Sequence, residues 1–417
     1  MHSQHRLLKG NLIPKIKHEN NKRYCERKMG MRMKKFMAMS MAAMMTAMAF
    51  TGCGGGAADD TADGAATLVI GGSGPLTGDY ATYGTSVKNG AQIAVDEINA
   101  AGGVNGVMLQ LLFEDDQADP EMAVNGYGKM MDDGMHVSLG GTTSGASIAI
   151  SEESQQDGLL VLTPSGSQME CTAYDNSFRV CFNDPAQGTY SAKYIGENAL
   201  AEKVAIIYEK SNDYSVGITN AFEAEAANQP FEVVEKQAFT NQSNTDFSVQ
   251  LQAVKASGAE LLFLPIYAQE AAYILTQADK AGLDVVFFGV DGMDGVIEKI
   301  GADNVALTEG VMLLTPFAAD SEAENVQAFV AEYKARHNMT PDQFAADAYD
   351  AVYAVKAAFE ATGMASPDEE GFNEAMIAAM TEISVDGVTG SMTWTADGEP
   401  TKTAQAVVIQ NGAYVAR

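Results

Sequence analysis

Segments rich in glycine and hydroxyl groups follow three predicted strands in the first half of the chain. Glycine leaves the backbone amides open, and these amides, together with serine and threonine hydroxyls at the start of a helix, suit an anion such as a carboxylate. The carboxyl ends of parallel strands meet at one edge of a sheet, where ligands bind. We therefore expect an anion-binding edge made of Gly72-Ser73-Gly74-Pro75, Gly141-Thr142-Thr143-Ser144 and Thr163-Pro164-Ser165-Gly166-Ser167.

The matching strand ends in the second half carry aromatic rings and one carboxylate. They are Tyr208 with Tyr214 beyond it, Pro265-Ile266-Tyr267 and Gly289-Val290-Asp291-Gly292. An aspartate among tyrosines suits an ammonium group, because it offers a charge-assisted hydrogen bond and the rings offer their faces. Two such edges facing each other would fit a zwitterion. Taken singly, each of these residues is also an ordinary turn or capping residue.

The sequence patterns of common catalytic and cofactor sites are missing or incomplete. The chain contains neither the GxxxxGK[ST] phosphate loop nor a GxSxG nucleophile motif. Beyond the N-terminal segment only His136 and His337 remain, too few for a zinc site or a catalytic triad. Glu114-Asp115-Asp116 lacks the spacing of a calcium loop. We predict a protein that is not an enzyme and uses no metal and no cofactor.

The elements that must position these side chains alternate between short aliphatic runs and longer amphipathic stretches. Leu68-Val69-Ile70 precedes apolar residues at helical spacing from Val87 to Ile98, and the alternation continues to Leu162. It restarts at Val204 and continues to Phe288. Such alternation is typical of βαβ units in a parallel sheet. The sequence therefore predicts an α/β fold of two similar lobes, each a parallel sheet flanked by helices.

The 417 residues carry a formal net charge of −29, and this charge is unevenly distributed. Residues 1–35 hold 11 of the 26 Lys and Arg but 2 of the 55 Asp and Glu, which leaves a charge of −38 from Phe36 onward. A body this acidic repels phosphate backbones, so nucleic-acid binding is excluded. Residues 1–30 precede a complete export signal, which indicates either a start codon assigned too early or a long basic leader.

An export signal follows that leader. Basic residues up to Lys35 precede an uncharged stretch from Phe36 to Phe50. Phe50-Thr51-Gly52-Cys53 resembles a bacterial lipobox, in which the cysteine is lipid-modified, although Phe50 replaces the usual aliphatic residue. We expect residues 31–52 to be a lipoprotein signal peptide, Cys53 the membrane anchor and residues 53–66 a flexible tether. The mature protein would then be extracytoplasmic.

An ordered series of motifs from about Thr67 to the end resembles the branched-chain amino acid-binding family, the substrate-binding components of bacterial ABC importers. The motifs include Ser73-Gly74-Pro75-Leu76-Thr77-Gly78, Asp96-Glu97-Ile98-Asn99-Ala100-Ala101-Gly102-Gly103, Phe178-Arg179-Val180-Cys181, Gly289-Val290-Asp291-Gly292 and Gly387-Val388-Thr389-Gly390. The resemblance implies two Rossmann-like lobes that close on a ligand about a hinge. It also implies a monomer that delivers its ligand to permease and ATPase subunits.

The resemblance further implies lobe bounds and site residues. Lobe 1 would comprise residues 67–180 and 317–388, and lobe 2 residues 181–316 and 389–417. Three crossover strands would join them near Arg179, Leu314 and Gly387. Ser144, Ser165 (through its backbone) and Ser167 would hold the ligand carboxylate, and Asp291 its ammonium group. The cleft walls would be tyrosines: Tyr83, Tyr214 and Tyr267.

Several questions stay open from the sequence. Cys171 and Cys181 are ten residues apart, and they could form a disulfide or remain two buried thiols. Thr143 stands where some relatives carry a disulfide cysteine, and Ser167 replaces a commoner threonine. The family also binds amides and urea-like solutes, which remain alternatives to the expected ligand, a branched-chain or other apolar amino acid. A ligand-sensing ectodomain on the same fold is the other alternative.

Overall fold

Five short strands form the first sheet of the protein. The computed structural model describes residues 66–417, so the expected signal peptide, Cys53 and all but the last residue of the tether lie outside the described residues. All five strands are parallel, in the order β2-β1-β3-β4-β5. Their bounds are Thr67–Gly74 (β1), Met108–Asp115 (β2), Val137–Gly141 (β3), Val161–Thr163 (β4) and Ser177–Arg179 (β5).

Helices cover both faces of this sheet, and for that reason its central strands are continuous apolar runs. Leu68 and Ile70 in β1 are fully buried. The connecting helices begin and end at ordinary capping residues: the Asp119 side chain accepts the Glu121 and Met122 amides, and Gly158 ends a helix in the left-handed conformation. The three helices are Ala81–Ala100 (α1), Pro120–Asp132 (α2) and Ser144–Asp157 (α3).

The second sheet has seven strands in the order β14-β13-β10-β9-β8-β6-β7. Five are parallel, and the last two in sequence join antiparallel at one edge. The strands are Lys203–Glu209 (β6), Glu232–Phe239 (β7), Leu261–Leu264 (β8), Val286–Gly289 (β9), Met312–Thr315 (β10), Gln405–Gln410 (β13) and Ala413–Ala416 (β14). The helices around it are Asp184–Glu197 (α4), Asp213–Ala226 (α5), Ser248–Ser257 (α6), Ala268–Ala281 (α7) and Val296–Ile300 (α8).

Residues after the second sheet return to the first. The elements are Glu324–His337 (α9), Gln343–Thr362 (α10), Phe372–Met380 (α11), Val385–Gly387 (β11) and Gly390–Met392 (β12). Helix α10 lies directly on α1, and the two approach closely because α1 has glycine at the contact: a Cβ on Gly90 would lie 2.0 Å from the Ala345 carbonyl oxygen. The chain therefore passes between the two sheets three times, after β5, after β10 and before β13.

Two buried ion pairs hold the segments that cross between the lobes. The Arg179 side chain is fully buried and lies 3.0 Å from Glu399, and the indole of Trp394 donates to the Arg179 carbonyl at 2.7 Å. Lys402 lies 2.7 Å from Asp347 of α10, and both side chains are 2% exposed. Charges this deeply buried persist only as pairs. They fix the third crossing segment against the first and against helix α10.

The predicted α/β fold of two Rossmann-like lobes is confirmed, whereas the exact lobe bounds remain a prediction. The structure also adds α4 and α11, which the sequence pattern did not predict. Among the described residues no helix is both long and apolar enough to cross a membrane.

The disulfide considered for the two cysteines is absent, because both are free buried thiols. The Cys171 thiol points to the Ser144 carbonyl at 3.6 Å, whereas Cys181 lies beyond β5 in surroundings that include Asp347 and Lys402. Burial raises the pKa of both thiols, and the positive charge of the nearby Arg179 acts on each in the opposite direction. The two side chains thus belong to different surroundings, and the loop between them is closed by Arg179 and its hydrogen bonds instead.

Candidate functional site

One cavity between the two sheets brings together all seven residues predicted to bind ligand. Its free volume in the described conformation is about 10 Å³, and it takes its lining from α1, the start of α10 and the ends of β3 and β4 on one side and from α5, the residue before α7 and the end of β9 on the other. The predicted residues in its wall are Tyr83, Ser144, Ser165, Ser167, Tyr214, Tyr267 and Asp291. Their roles in binding remain predictions, and their common location is a feature of the fold.

The first polar wall is the start of helix α3. Ser144 is the first residue of this helix, and Thr143 before it is extended at φ −88° and ψ 153°. The Thr143 hydroxyl does not cap the helix, and within residues 66–417 this buried group has no hydrogen-bond partner. The first amides of a helix lack partners inside the helix and carry its positive partial charge. This wall therefore offers donors to an anion.

The turn after β4 extends the same wall. The Ser165 hydroxyl donates to the Thr142 carbonyl at 2.6 Å, and the Gln168 amide donates to the Ser144 hydroxyl at 3.2 Å. The Ser167 hydroxyl is buried and has no partner of good hydrogen-bond geometry in the described part of the chain. Beneath the turn, the Arg179 guanidinium donates to the Gly166 carbonyl at 2.8 Å. A buried cation thus holds the shape of the segment that carries two of the predicted serines.

The opposite wall carries the negative charge of Asp291, which is 5% exposed. One carboxylate oxygen, Oδ1, accepts the Tyr214 hydroxyl at 2.5 Å and the Gly292 amide at 2.7 Å. The Asp291 amide donates to the Gln187 side chain at 3.2 Å. Burial raises the pKa of Asp291 to about 6, although these hydrogen bonds lower it. The carboxylate is held in one orientation and is largely desolvated. Its surroundings neutralise little of its negative charge, so the charge is available to a cationic group of a ligand.

Four aromatic rings enclose the space between the two walls. Tyr214 and Tyr267 are stacked with centroids 5.1 Å apart and planes 9° apart. Tyr83 lies 5.5 Å from Tyr267 and 4.7 Å from Phe344 by ring centroids. Rings at these separations pack favourably in offset or edge arrangements. The cavity therefore combines two polar ends with an aromatic lining.

Tyr83 joins the two walls directly. Its hydroxyl donates to the Gly292 carbonyl at 2.6 Å and accepts the Ala268 amide at 2.8 Å, so a residue of α1 bonds to two segments of the other lobe. Nearby, the Tyr80 hydroxyl donates to Glu270 of α7 at 3.1 Å. Burial raises the pKa of Tyr83 well above its usual range, so the hydroxyl stays protonated and can make both bonds. The described conformation is therefore one in which the lobes are in contact.

The cavity also includes residues that were not named as ligand-binding from the sequence. Thr142, Thr143 and Gly292 lie in the strand-end segments already singled out. Phe344 had no such signal, because it lies at the start of α10, which reaches the cavity only after the chain has crossed between the sheets twice. Gly292 is constrained by space: a Cβ there would lie 2.5 Å from the Tyr214 hydroxyl.

A model of the family described as "Periplasmic binding protein" matches residues 67–413. A Pseudomonas aeruginosa "Leucine-, isoleucine-, valine-, threonine-, and alanine-binding protein" is 30% identical over 306 residues, which cover 73% of this chain and 80% of that protein.

Solved structures show the same similarity. The branched-chain amino acid transporter substrate binding protein of Streptococcus pneumoniae, in complex with isoleucine, has a TM-score of 0.76 and 28% identity. The match covers 84% of this chain and all of that chain. A solute binding protein of an ABC transporter from R. palustris, in complex with benzoate, has a TM-score of 0.75 at 20% identity over 84% of this chain and 95% of its own, a similarity of fold alone.

Proposed function

This chain belongs to the periplasmic binding protein family, and we propose that it is a non-enzymatic, extracytoplasmic receptor that binds an amino acid between its lobes. The ligand we propose is a branched-chain or other apolar amino acid. Binding would be completed by closure of the two lobes about the crossing segments. The receptor would pass its ligand to the permease and ATPase subunits of an ABC importer.

The observation that carries this proposal is the opposite polarity of the two cavity walls. Thr143, Ser144 and Ser167 offer donors at the start of α3 and in the turn after β4, whereas Asp291 offers a carboxylate across the cavity. An α-amino acid has a carboxylate and an ammonium group on one carbon, so it can meet both walls at once. Each contact would be charge-assisted and sheltered from water, which makes it stronger than a neutral hydrogen bond.

The aromatic lining supports an apolar side chain on the ligand. Tyr267 and Phe344 present ring surfaces to the space left between the polar walls. The names of the relatives point the same way, because the Pseudomonas aeruginosa protein is described as binding leucine, isoleucine, valine, threonine and alanine. The benzoate complex of the R. palustris protein shows that this fold also holds carboxylates without an amine. Asp291 favours the amino acid, since a buried carboxylate would repel an anion that brings no cation with it.

Calorimetric titration with three matched ligands tests the proposal. The protein is unfolded and refolded beforehand to remove any ligand that co-purifies. L-leucine carries both charged groups, 4-methylpentanoate lacks the ammonium group, and 3-methylbutylamine lacks the carboxylate. We expect saturable binding of leucine or another apolar amino acid at about micromolar dissociation constants, and at least 100-fold weaker binding of both truncated compounds.

The remaining outcomes of this titration are also informative. Equal binding of leucine and 4-methylpentanoate would contradict an ammonium-binding role for Asp291. Binding of simple amides or urea but of no amino acid would replace the proposed ligand and keep the receptor. A folded protein that binds none of these compounds would overturn the amino acid proposal and favour a sensing ectodomain for another solute.

We further propose that Cys53 anchors the mature protein to the membrane through lipid. Support comes from the sequence around it, since Cys53 lies outside the described residues. Cys53→Ser should release the protein from the membrane fraction into the soluble extracytoplasmic fraction, because serine cannot carry the lipid that holds the protein at the membrane. Cys25→Ser is the matched control and should leave the fractionation unchanged. Unchanged fractionation of Cys53→Ser would contradict the anchor.

A further inference from the structure

Helix α4 begins with an aspartate whose side chain is buried. Asp184 is the first residue of this helix, shortly after the chain leaves the first sheet, and it is 1% exposed. Its amide donates to the Ser167 carbonyl at 2.9 Å, which ties it to the turn after β4. Helix α5 has glycine beside it: a Cβ on Gly217 would lie 2.9 Å from Asp184 Oδ2. The fold thus makes room for a buried carboxyl group next to a residue of the cavity wall.

This carboxyl group has few donors around it. Neither of its oxygens has a hydrogen bond of good geometry with the part of the chain that the structure describes. The Asn183 side chain, and not Asp184, caps α4 by accepting the Ala186 amide at 2.9 Å. The Ser167 hydroxyl lies near enough to act on the pKa of Asp184, although its geometry falls short of a good hydrogen bond. An ionised carboxylate here would have lost water without gaining donors.

The charges around Asp184 give it no cation of its own. Among residues 66–417 it takes part in no ion pair, and the nearby Arg179 pairs with Glu399 at 3.0 Å. Burial, together with the negative charges of Asp291 and Glu170, raises the pKa of Asp184 well above its usual range, whereas Ser167 and Arg179 act in the opposite direction. These surroundings favour the protonated form.

Other titratable groups near Asp184 add no charge. They are the hydroxyls of Tyr214 in α5 and Tyr267 before α7 and the thiol of Cys171. Burial raises the pKa of each, so all three stay neutral at pH 7. They therefore supply no positive charge that would hold Asp184 in its ionised form.

The protonation state of Asp184 decides what the Ser167 hydroxyl can offer to the cavity. Ser167 lines the cavity, and a hydroxyl has one hydrogen and two lone pairs. Beside an ionised Asp184, that hydrogen would bond to the carboxylate, and lone pairs would face the cavity. Beside a protonated Asp184, the carboxyl group donates to the serine oxygen, and the serine hydrogen is free for an acceptor. The second arrangement is the one that suits a ligand carboxylate.

We propose that Asp184 is a protonated positioning residue: its carboxyl group donates a hydrogen bond to Ser167, and Ser167 donates one to the carboxylate of the ligand. Asp184 does not line the cavity, so it acts through Ser167 and does not touch the ligand. The inference rests on the proposed function and deepens it. It makes Ser167 a donor to the ligand carboxylate, opposite the negative charge of Asp291.

Infrared spectroscopy of the full chain at pH 7 tests the protonated state without any ligand. A protonated carboxyl group has a C=O stretching band that an ionised carboxylate lacks, and this band should lose intensity in Asp184→Asn. Asp213→Asn is the matched control. Asp213 is also the first residue of a helix after a capping asparagine, but it is exposed, so its replacement should leave the band unchanged. An undiminished band in Asp184→Asn would overturn the proposal.

Titration calorimetry with L-leucine tests the positioning role. Asp184→Leu should weaken leucine binding about tenfold, because Ser167 loses the donor that orients its hydroxyl. Asp184→Asn should restore the dissociation constant to within about threefold of the wild-type value, because a neutral amide can donate to Ser167 as the protonated carboxyl group does. Equal weakening in the two variants would overturn the proposal, since it would show that a negative charge is needed at this position.

A double-mutant cycle with Ser167→Ala separates this role from a merely structural one. In the Ser167→Ala protein, the further change Asp184→Leu should alter the dissociation constant by less than about twofold, and an undiminished effect there would overturn the proposal. Gly217→Ala serves if Asp184→Leu folds poorly, because its methyl group would displace the Asp184 carboxyl group and should also weaken leucine binding.

The remaining outcomes distinguish this inference from the proposed function. Unchanged leucine binding in both Asp184→Leu and Gly217→Ala would overturn the positioning role. A folded wild-type chain that has the infrared band of Asp184 but binds no leucine would contradict the proposed ligand and support the protonated state of Asp184.

Discussion

Asp291 carries the negative charge of the cavity between the lobes, and its surroundings leave that charge available to a ligand. Tyr214 and the Gly292 amide orient one of its oxygens, yet no Lys or Arg of the described chain is paired with it in an ion pair. A carboxylate desolvated to this degree gains more from a ligand ammonium group than an exposed one would. At the scale of single residues, Asp291 is therefore the side chain whose replacement should affect amino acid binding most.

Asp291→Asn should raise the dissociation constant of the preferred amino acid at least thirtyfold, about 2 kcal/mol, because the ligand ammonium would lose its buried counter-charge. Asp294→Asn is the matched control, since it removes a buried carboxylate three residues away that does not line the cavity of Asp291. Titration calorimetry on both variants measures the difference. A change of less than twofold in Asp291→Asn would show that the ammonium group is held elsewhere.

The pH dependence of binding should follow the same carboxylate. With a pKa of about 6, Asp291 is mostly ionised at pH 7 and mostly protonated at pH 5. The dissociation constant should therefore rise roughly tenfold between pH 7 and pH 5, because the proton competes with the ammonium group. The unliganded fold should respond in the opposite direction: the contribution of Asp291 to its stability is complete below the ordinary pKa and is lost as the pH rises through 6.

Titrations at pH 5, 6 and 7 check this dependence. The Asp291→Asn protein is the control, and its weaker binding should vary little over the same range. Equal slopes for the two proteins would assign the pH dependence to other buried carboxyl groups, among them Asp184, whose pKa burial raises well above its usual range.

Most of the residues in the cavity could be found from the sequence because they follow strands. Ser144 follows β3, Ser165 follows β4 and Asp291 follows β9, and parallel strands end at one edge. Tyr83 opens a helix and was reached only through the family resemblance. Phe344 was not found, because its place depends on how α10 packs on α1. No local pattern of residues encodes that packing.

At the scale of elements, the turn after β4 depends on the buried Arg179. The guanidinium donates to the Gly166 carbonyl and, at 3.0 Å, to the Thr172 hydroxyl, while Glu399 balances its charge. Ser165 and Ser167 stand on either side of Gly166. The arginine therefore links the third crossing segment to the wall that carries Ser165 and Ser167, without itself lining the cavity between the lobes.

Arg179→Met should lower the free energy of unfolding by about 3–5 kcal/mol, because Glu399 would lose its buried partner and the turn its donors. It should also weaken ligand binding. Lys356→Met is the matched control: Lys356 pairs with Glu360 one helical turn away at the surface, and its loss should cost at most about 0.5 kcal/mol. Denaturant unfolding measures both. Equal losses in the two variants would contradict the role assigned to Arg179.

The alternation of strands and helices could be predicted because the central strands are covered on both faces and the long helices expose one face. Helix α4 was not predicted, because it contains few large apolar residues. It is capped by Asn183, has Pro185 in its first turn, and buries Gly188 and Ser191 against its neighbours. The free thiols of Cys171 and Cys181 have a similar explanation. Their separation in sequence is compatible with a disulfide. Whether the two thiols meet depends on tertiary packing, which here places Arg179 near both of them.

At the scale of the whole molecule, contact between the lobes is made by a small number of side chains. Tyr83 bonds to Gly292 and Ala268, and the Lys299 ammonium donates to the Asp79 carbonyl. Gln343 also joins the two lobes, because its side chain donates to the Asp291 carbonyl and its amide donates to the Asp294 carboxylate. An open form of the cleft would expose these groups to water, so each contact adds a modest amount to the stability of the described conformation.

Tyr83→Phe should raise the ligand dissociation constant about fivefold to tenfold, mainly through faster dissociation, because two hydrogen bonds between the lobes are lost while the ring remains. Tyr127→Phe is the control, since that hydroxyl donates within lobe 1 to Asp157 at 3.1 Å. Stopped-flow measurements of ligand release compare the two variants. A release rate in Tyr83→Phe equal to that of the wild-type protein would show that this tyrosine does not hold the lobes together.

The two buried cysteines also make the protein a convenient scaffold for an optical reporter. Burial raises the pKa of Cys171 to about 12 and that of Cys181 well above its usual range, so neither presents the thiolate that alkylating dyes require. With Cys25 and Cys53 replaced by serine, a cysteine introduced at the exposed Asp79 would take up a single maleimide fluorophore. Asp79 meets Lys299 of the facing lobe, so the emission of that dye would report directly on how often the cleft opens.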